Sequence, residues 1–215
     1  MHRVSRLTAT LVLALAPRVA SAAPLISEAF YDAVGSDNGR SFVELYGDPG
    51  SSLDGLFLEG INGANGSTGP TVALSGVFPP SGIWLLADDV GDGTSSVAGA
   101  HLIANFDFQN GPDSIVLRTA TEILDAVGYG VFGVGEIFAG EGTAAVDAPA
   151  GSSLARLFAN VDTNDNAADF IVLGAPTPGH APLDAVPEPQ TAALLAVGLL
   201  GLAWSSRART APRAH

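Results

Sequence analysis

Short apolar runs, broken by turn residues roughly every eight to fifteen positions, fill the middle of this chain. Residues 25–31, 41–46, 56–61, 71–74, 83–87, 101–104, 114–118, 122–127, 153–157 and 170–173 read as β-strands. The run Ile83, Trp84, Leu85, Leu86, Ala87 is apolar at every position, which predicts a strand buried on both faces. The breakers GSDNGR, GDPGSSLDG, NGANGSTGP, FPPSG, DDVGDGTSS and QNGPDS are turn chemistry: glycine and asparagine accept positive φ, and proline fixes φ. No helical period is sustained between the strands. Residues 128–151, rich in glycine and alanine with Tyr129, Phe132, Ile137 and Phe138 interspersed, read as a long loop with weak structure. Many short strands at this spacing predict one all-β domain, a sandwich or barrel, over residues 23–180, with no internal repeat.

The two ends break this pattern. Arg3 and Arg6 precede an apolar stretch over residues 7–16, and Ala20, Ser21 and Ala22 follow. This is the order of a secretory signal peptide over residues 1–22. Small residues at Ala20 and Ala22 place signal-peptidase cleavage before Ala23. Beyond a linker at 181–185, residues 191–204 form a second uncharged, largely apolar stretch. As a helix it spans about 21 Å, short of the roughly 30 Å hydrocarbon core, so it suits transient lodging better than permanent anchorage. Arg207, Arg209 and Arg213 follow and place the short tail, residues 211–215, on the cytoplasmic side, with the β body across the membrane.

Charge separates the body from its ends. The 215 residues carry 22 acidic side chains and nine basic ones, every one an arginine. Six arginines lie in the terminal segments, so residues 23–186 hold Arg40, Arg118 and Arg156 against 21 acidic residues, a net charge of −18. Such a surface repels nucleic-acid backbones and anionic membranes, and excludes nucleic acid as a partner. There is no cysteine, which removes disulfides, thiolate metal sites and cysteine nucleophiles.

Val186, Pro187, Glu188 and Pro189, followed by the apolar stretch and then Arg207 and Arg209, resemble the PEP-CTERM sorting signal of Gram-negative bacteria over residues 186–210. The resemblance implies an exosortase as processing partner. It further implies a transient inner-membrane intermediate, then transfer to the cell surface or extracellular polysaccharide. The prolines keep the segment extended and outside the helix.

Two further stretches resemble the lamin-tail domain, an immunoglobulin-like β-sandwich. One runs from Leu25, Ile26, Ser27 and Glu28 through a Gly/Asp loop to Phe42, Val43, Glu44, Leu45 and Tyr46. The other joins Ser153, Leu154, Ala155 and Arg156 to an Asp/Asn loop and to Pro176, Thr177, Pro178 and Gly179. Ser41 stands where that family commonly carries an acidic residue, and Asp54, Gly55, Leu56 and Phe57 replace its usual Gly-Trp. The resemblance implies the fold and brings no catalytic residues.

Candidate chemistry in the body is sparse. Asp162, Asn164, Asp165 and Asn166 offer oxygen ligands like the start of a calcium loop, but Ala167 replaces the required glycine and no glutamate closes the loop. Asx turns, in which these side chains satisfy their own backbone, are the competing explanation. His101 and His180 are the only histidines of the body; neither Gly-x-Ser-x-Gly, His-Glu-x-x-His nor a P-loop occurs. These features predict a non-enzymatic, exported surface or matrix protein without a cofactor, structural or adhesive, meeting polysaccharide or other surface proteins. A calcium-dependent carbohydrate-binding module and a secreted hydrolase with paired carboxylates are the alternatives.

Overall fold

A computed structural model describes residues 22–184 and 198–199. Most of the predicted signal peptide, and the sorting-signal residues Pro187, Glu188, Pro189, Arg207 and Arg209, lie outside the described residues, as does Ala20. Ala22 and Ala23 are exposed and lead directly into the first strand.

Within residues 22–184, ten strands and one helical turn follow in the order β1 (Leu25–Phe30), β2 (Phe42–Tyr46), β3 (Phe57–Asn62), β4 (Thr68–Ala73), β5 (Ile83–Asp88), β6 (Leu102–Ala104), β7 (Asp113–Arg118), β8 (Ile123–Tyr129), β9 (Ser153–Arg156), α1 (Asn166–Asp169) and β10 (Phe170–Leu173). Each falls on a run expected to be a strand, apart from α1, whose four residues show no period. The strands form two sheets, one ordered β10-β9-β1-β2-β5-β6 and the other β4-β3-β7-β8. Every pairing is antiparallel except β5 with β6.

The sheets bury their apolar faces in one core. Ile26, Val43, Leu45, Trp84, Leu86 and Leu154 come from the first sheet, and Leu58, Val72, Ile115, Leu117 and Val127 from the second. These positions alternate along their strands, as a sheet with one core-facing surface requires. All six residues of β5 are buried, in line with its unbroken apolar run.

Residues 130–152 contain no strand, but they are not loosely held. Ala145 donates to the Gly128 carbonyl at 2.8 Å, and Gly130 donates back to the Ala145 carbonyl at 2.9 Å. Ala145 and Ala148 belong to the core with Tyr31 and Tyr129, whose rings stack with their centroids 4.4 Å apart. The Tyr31 hydroxyl donates to Asp147 and accepts from the Ala148 amide. Glycine is required at 140 because a Cβ there would collide with Asn166 Oδ1 and the Gly128 nitrogen. The glycine and alanine content of this segment therefore reflects close packing rather than weak structure.

Candidate functional site

Arg156 is the last residue of β9, and its side chain is fully buried between the sheets. Nη2 donates to both oxygens of Asp125 on β8, at 2.9 and 3.0 Å. Nη1 reaches Asp169 at 2.9 Å and Asp162 at 3.3 Å, and Nε donates to the Ile26 carbonyl at 3.1 Å. The Phe170 ring lies 4.6 Å from the guanidinium carbon. Asp125 Oδ2 accepts in turn from the Ile26 amide at 2.5 Å. One planar cation thus fastens β8 of the smaller sheet to β1 and β9 of the larger, and gathers the loop leading into α1. Burial pushes the Asp125 carboxyl up, while Arg156 and the Ile26 amide pull against it.

The four residues expected to ligate calcium are held by separate tasks around this centre. Asp162 Oδ1 meets Arg156 and accepts from the Asn164 amide, an Asx turn with Asn164 at a φ of 57°. Asp165 is the N-cap of α1; its Oδ1 accepts from Ala167 and from Thr143 across the loop. Asn166 is wholly buried and clamps the glycine-rich segment. Its Oδ1 accepts from Gly128 and Glu141, and its Nδ2 donates to the Ala126 carbonyl.

Among the described residues, one group of carboxylates lies close enough to share an ion: Asp125, Glu141 and Asp162, with one oxygen from each within 4.8 Å of the others. Of the predicted ligands only Asp162 belongs to it. The position is already served by a cation, since the Arg156 guanidinium lies against Asp125 and Asp162. Glu141 differs from its neighbours: its Oε2 is buried with no hydrogen-bond partner. Burial, with Asp125 and Asp162 nearby, pushes this carboxyl up to about 7. A proton on Glu141 relieves the excess of negative charge there. No signal local to residue 141 marks this role, because every charge acting on it comes from elsewhere in the chain.

A second buried acidic arrangement lies on the opposite face of the larger sheet. Glu28 and Glu44 are cross-strand neighbours on β1 and β2. Ser27 donates to Glu44 at 2.7 Å and Ser153 to Glu28 at 2.5 Å. The remaining acceptor capacity takes the chain after β10: Thr177 amide and hydroxyl on Glu28, Gly179 amide on Glu44. Burial pushes the Glu44 carboxyl up to about 7, against the pull of its Ser27 and Gly179 bonds.

The histidines hold modest positions. His101 Nδ1 accepts from the Leu85 amide beside Trp84, and His180 is exposed next to the Pro178 carbonyl. A polar groove of about 480 Å³ opens at the loops around Asp37, Asn38, Asp88, Asn105 and Asp107. Asp88 is buried there, with its oxygens on the Gly39 and Phe106 amides. Burial, then Asp37 and Asp88, raise the Asp107 carboxyl.

Two outcomes follow. Arg156→Met is expected to destabilise the fold by about 3–5 kcal/mol in urea unfolding, because Asp125 is left buried and unpaired. Arg156→Lys should recover little of that, lacking the two-pronged geometry; full recovery would refute the role assigned to the guanidinium. Glu44 and Glu141 retain their protons to about pH 7 in the folded chain, against an ordinary value of 4.5. Between those values the folded state binds more protons than the unfolded one, so stability falls as pH rises through this window. The melting temperature should therefore be higher at about pH 5 than at about pH 8, and the double variant Glu44→Gln/Glu141→Gln should flatten that slope.

No curated protein and no solved structure matches the chain. No helix among the described residues is long and apolar enough to cross a membrane. Residues 185–208, which begin one residue after Asp184, match the PEP-CTERM protein-sorting motif, and this part of the chain marks it as a substrate for exosortase-dependent sorting to the cell surface.

Proposed function

We propose that this chain is a non-enzymatic surface or extracellular-matrix protein whose β body is a cargo delivered by its C-terminal signal. The observation that carries this reading is the sorting motif at 185–208 placed directly behind a folded all-β body. A signal peptide at residues 1–22 would supply the export that the motif requires. Within the body, we read the two sheets as an immunoglobulin-like sandwich of the lamin-tail type. In support, residues within the stretches that carry that resemblance bond one another: Glu28 takes Ser153 and Thr177, Glu44 takes Gly179, and Arg156 takes the Ile26 carbonyl. The role is structural or adhesive.

The test of sorting is cell fractionation of the full chain and its Glu188→Ala variant in a host with an exosortase. The variant is expected to accumulate in the inner membrane while the wild type is released. Equal release of both would overturn the assignment.

The partner we favour is a hydroxyl-rich, neutral extracellular polysaccharide at the groove of Asp37, Asn38, Asn105 and Asp107. The groove combines carboxylate acceptors with amide groups that both donate and accept, a donor set suited to sugar hydroxyls. Co-sedimentation of the body with insoluble polysaccharide from the same cells should fall severalfold in an Asn38→Ala/Asp107→Ala variant. Undiminished co-sedimentation would remove the groove as the binding site.

A further inference from the structure

A pocket of about 510 Å³ opens where the turn before β7 meets the chain after β8. Pro112, Val131, Ala144 and Val146 line it, and Asp147 is the one charged residue of its lining. Val131 and Val146 are 90% and 72% exposed, so the rim is aliphatic and open. Gly111 and Gly130 complete the lining with bare backbone. A Cβ at Gly111 would meet the Tyr129 carbonyl at 2.9 Å and Asp147 Oδ2 at 3.0 Å, and one at Gly130, where φ is 96°, would meet the Pro112 Cα at 2.9 Å.

Asp147 is anchored through one oxygen only. Oδ1 accepts from the Tyr31 hydroxyl at 2.8 Å and from the Gly111 amide at 3.4 Å. Oδ2 takes no bond among the described residues, and it is not one of the buried polar atoms left without a partner, so solvent reaches it. The surroundings add negative charge and no positive charge. Burial, then Asp37 and Asp147, raise the Asp32 carboxyl; burial also raises Asp113 against the pull of the Gly63 amide, and Asp147 adds to that rise. The three arginines of the body are engaged elsewhere: Arg40 on the Val34 carbonyl, Arg118 on Glu59, and Arg156 among Asp125, Asp162 and Asp169. The chain holds no lysine. A carboxylate with a free oxygen, set in a body of net charge −18, draws a cation that the body itself lacks.

The chemistry of the pocket selects which cation. With Oδ1 already serving two donors, Asp147 offers a single oxygen. That is enough for the point charge of an ammonium, whereas a guanidinium is matched by two parallel bonds to one carboxylate. The aliphatic walls suit the methylene stem of a lysine, which lies along apolar surface while its head reaches a polar partner.

We propose that this pocket receives a lysine side chain of a partner protein, with its ammonium on Asp147 Oδ2 and its stem against Val131 and Val146. The two exposed valines favour a protein over a free amine, because residues flanking a lysine cover that rim and a small amine leaves it wet. The site is separate from the polysaccharide groove and does not depend on the sorting reading.

The test is titration of the full chain, in a zwitterionic micelle, with the acetylated and amidated tripeptide valine-lysine-valine, read by amide NMR shifts. Saturable shifts are expected at Gly111, Gly130 and Val131. Norleucine in place of lysine should weaken binding about tenfold, and arginine about threefold. n-Butylamine should bind about fivefold more weakly than the peptide. Asp147→Asn keeps the Oδ1 acceptor for Tyr31 and Gly111 but drops the charge, and should weaken the peptide about tenfold. Val131→Ser/Val146→Ser alters only exposed positions, keeps the charge, and should weaken it about threefold. Shifts spread over the acidic surface, or unchanged affinity in either variant, overturn the site. Arginine or norleucine peptides that bind as well as lysine overturn the choice of an ammonium, and n-butylamine that binds as well as the peptide overturns the protein as its source.

Discussion

The buried guanidinium of Arg156 is the point on which the two sheets depend. Apolar side chains can hold two sheets together at many registers, because burial is not directional. A bidentate bond from Arg156 to Asp125 has one geometry, and it spans the layers from β9 to β8. The same side chain takes the Ile26 carbonyl, next to the irregularity in the β1–β2 ladder between Ile26 and Glu28. It also sets the loop before α1 through Asp162 and Asp169, whose remaining bonds to Thr163 and Asn164 shape that loop. Removing a charge at this depth leaves partners that water cannot reach. For that reason the cluster specifies the arrangement more than it adds net stability.

From that centre, order extends into the segment with the least secondary structure. α1 has only four residues, yet Asn166 places its side chain against Gly128, Glu141 and the Ala126 carbonyl. The turn holding Asn166 is positioned by Asp169, and Asp169 is positioned by Arg156. The glycine-rich chain from 130 to 152 is thus templated by side chains outside itself. Glycine suits it because at 140 the backbone lies too close to Asn166 and Phe138 for a Cβ, and at Gly128 of β8 a Cβ would meet the Phe138 ring that this segment supplies.

The strand pattern was legible in the sequence because it depends on near neighbours. Short, mostly apolar runs at 42–46 and 114–118, and the solid apolar run at 83–87, locate β2, β7 and β5 without reference to the rest of the chain. Limits were less visible where turn chemistry and pairing compete. β4 begins at Thr68, inside a run of Gly, Ser, Thr and Pro residues that reads as a breaker, because pairing with β3 past a bulge extends it. The polar centres were not legible at all. Asp125 and Arg156 are 31 positions apart, and Glu28 and Thr177 are 149 apart, so no local spacing announces them. The Asp/Asn loop illustrates the difference: its composition fits an ion site, but cap geometry, an Asx turn and a buried amide clamp use the same residue types.

A body with three arginines, no lysine and 21 acidic residues needs another source of positive potential for its buried carboxylates, and the backbone supplies it. Asp37 accepts from the Ala33 amide, Asp88 from Gly39 and Phe106, Asp113 from Gly63, Glu28 from Thr177 and Glu44 from Gly179. Each of these amides lies in a turn or connection, where no ladder partner exists and an unpaired N–H would be costly. Acidic side chains therefore serve this fold as staples for irregular chain, and the composition that reads as surface charge is partly internal structure. The chain after β10 is held by the same device, since two carboxyls buried on the outer face of the larger sheet take the Thr177 and Gly179 amides and fix an irregular segment that no ladder could hold.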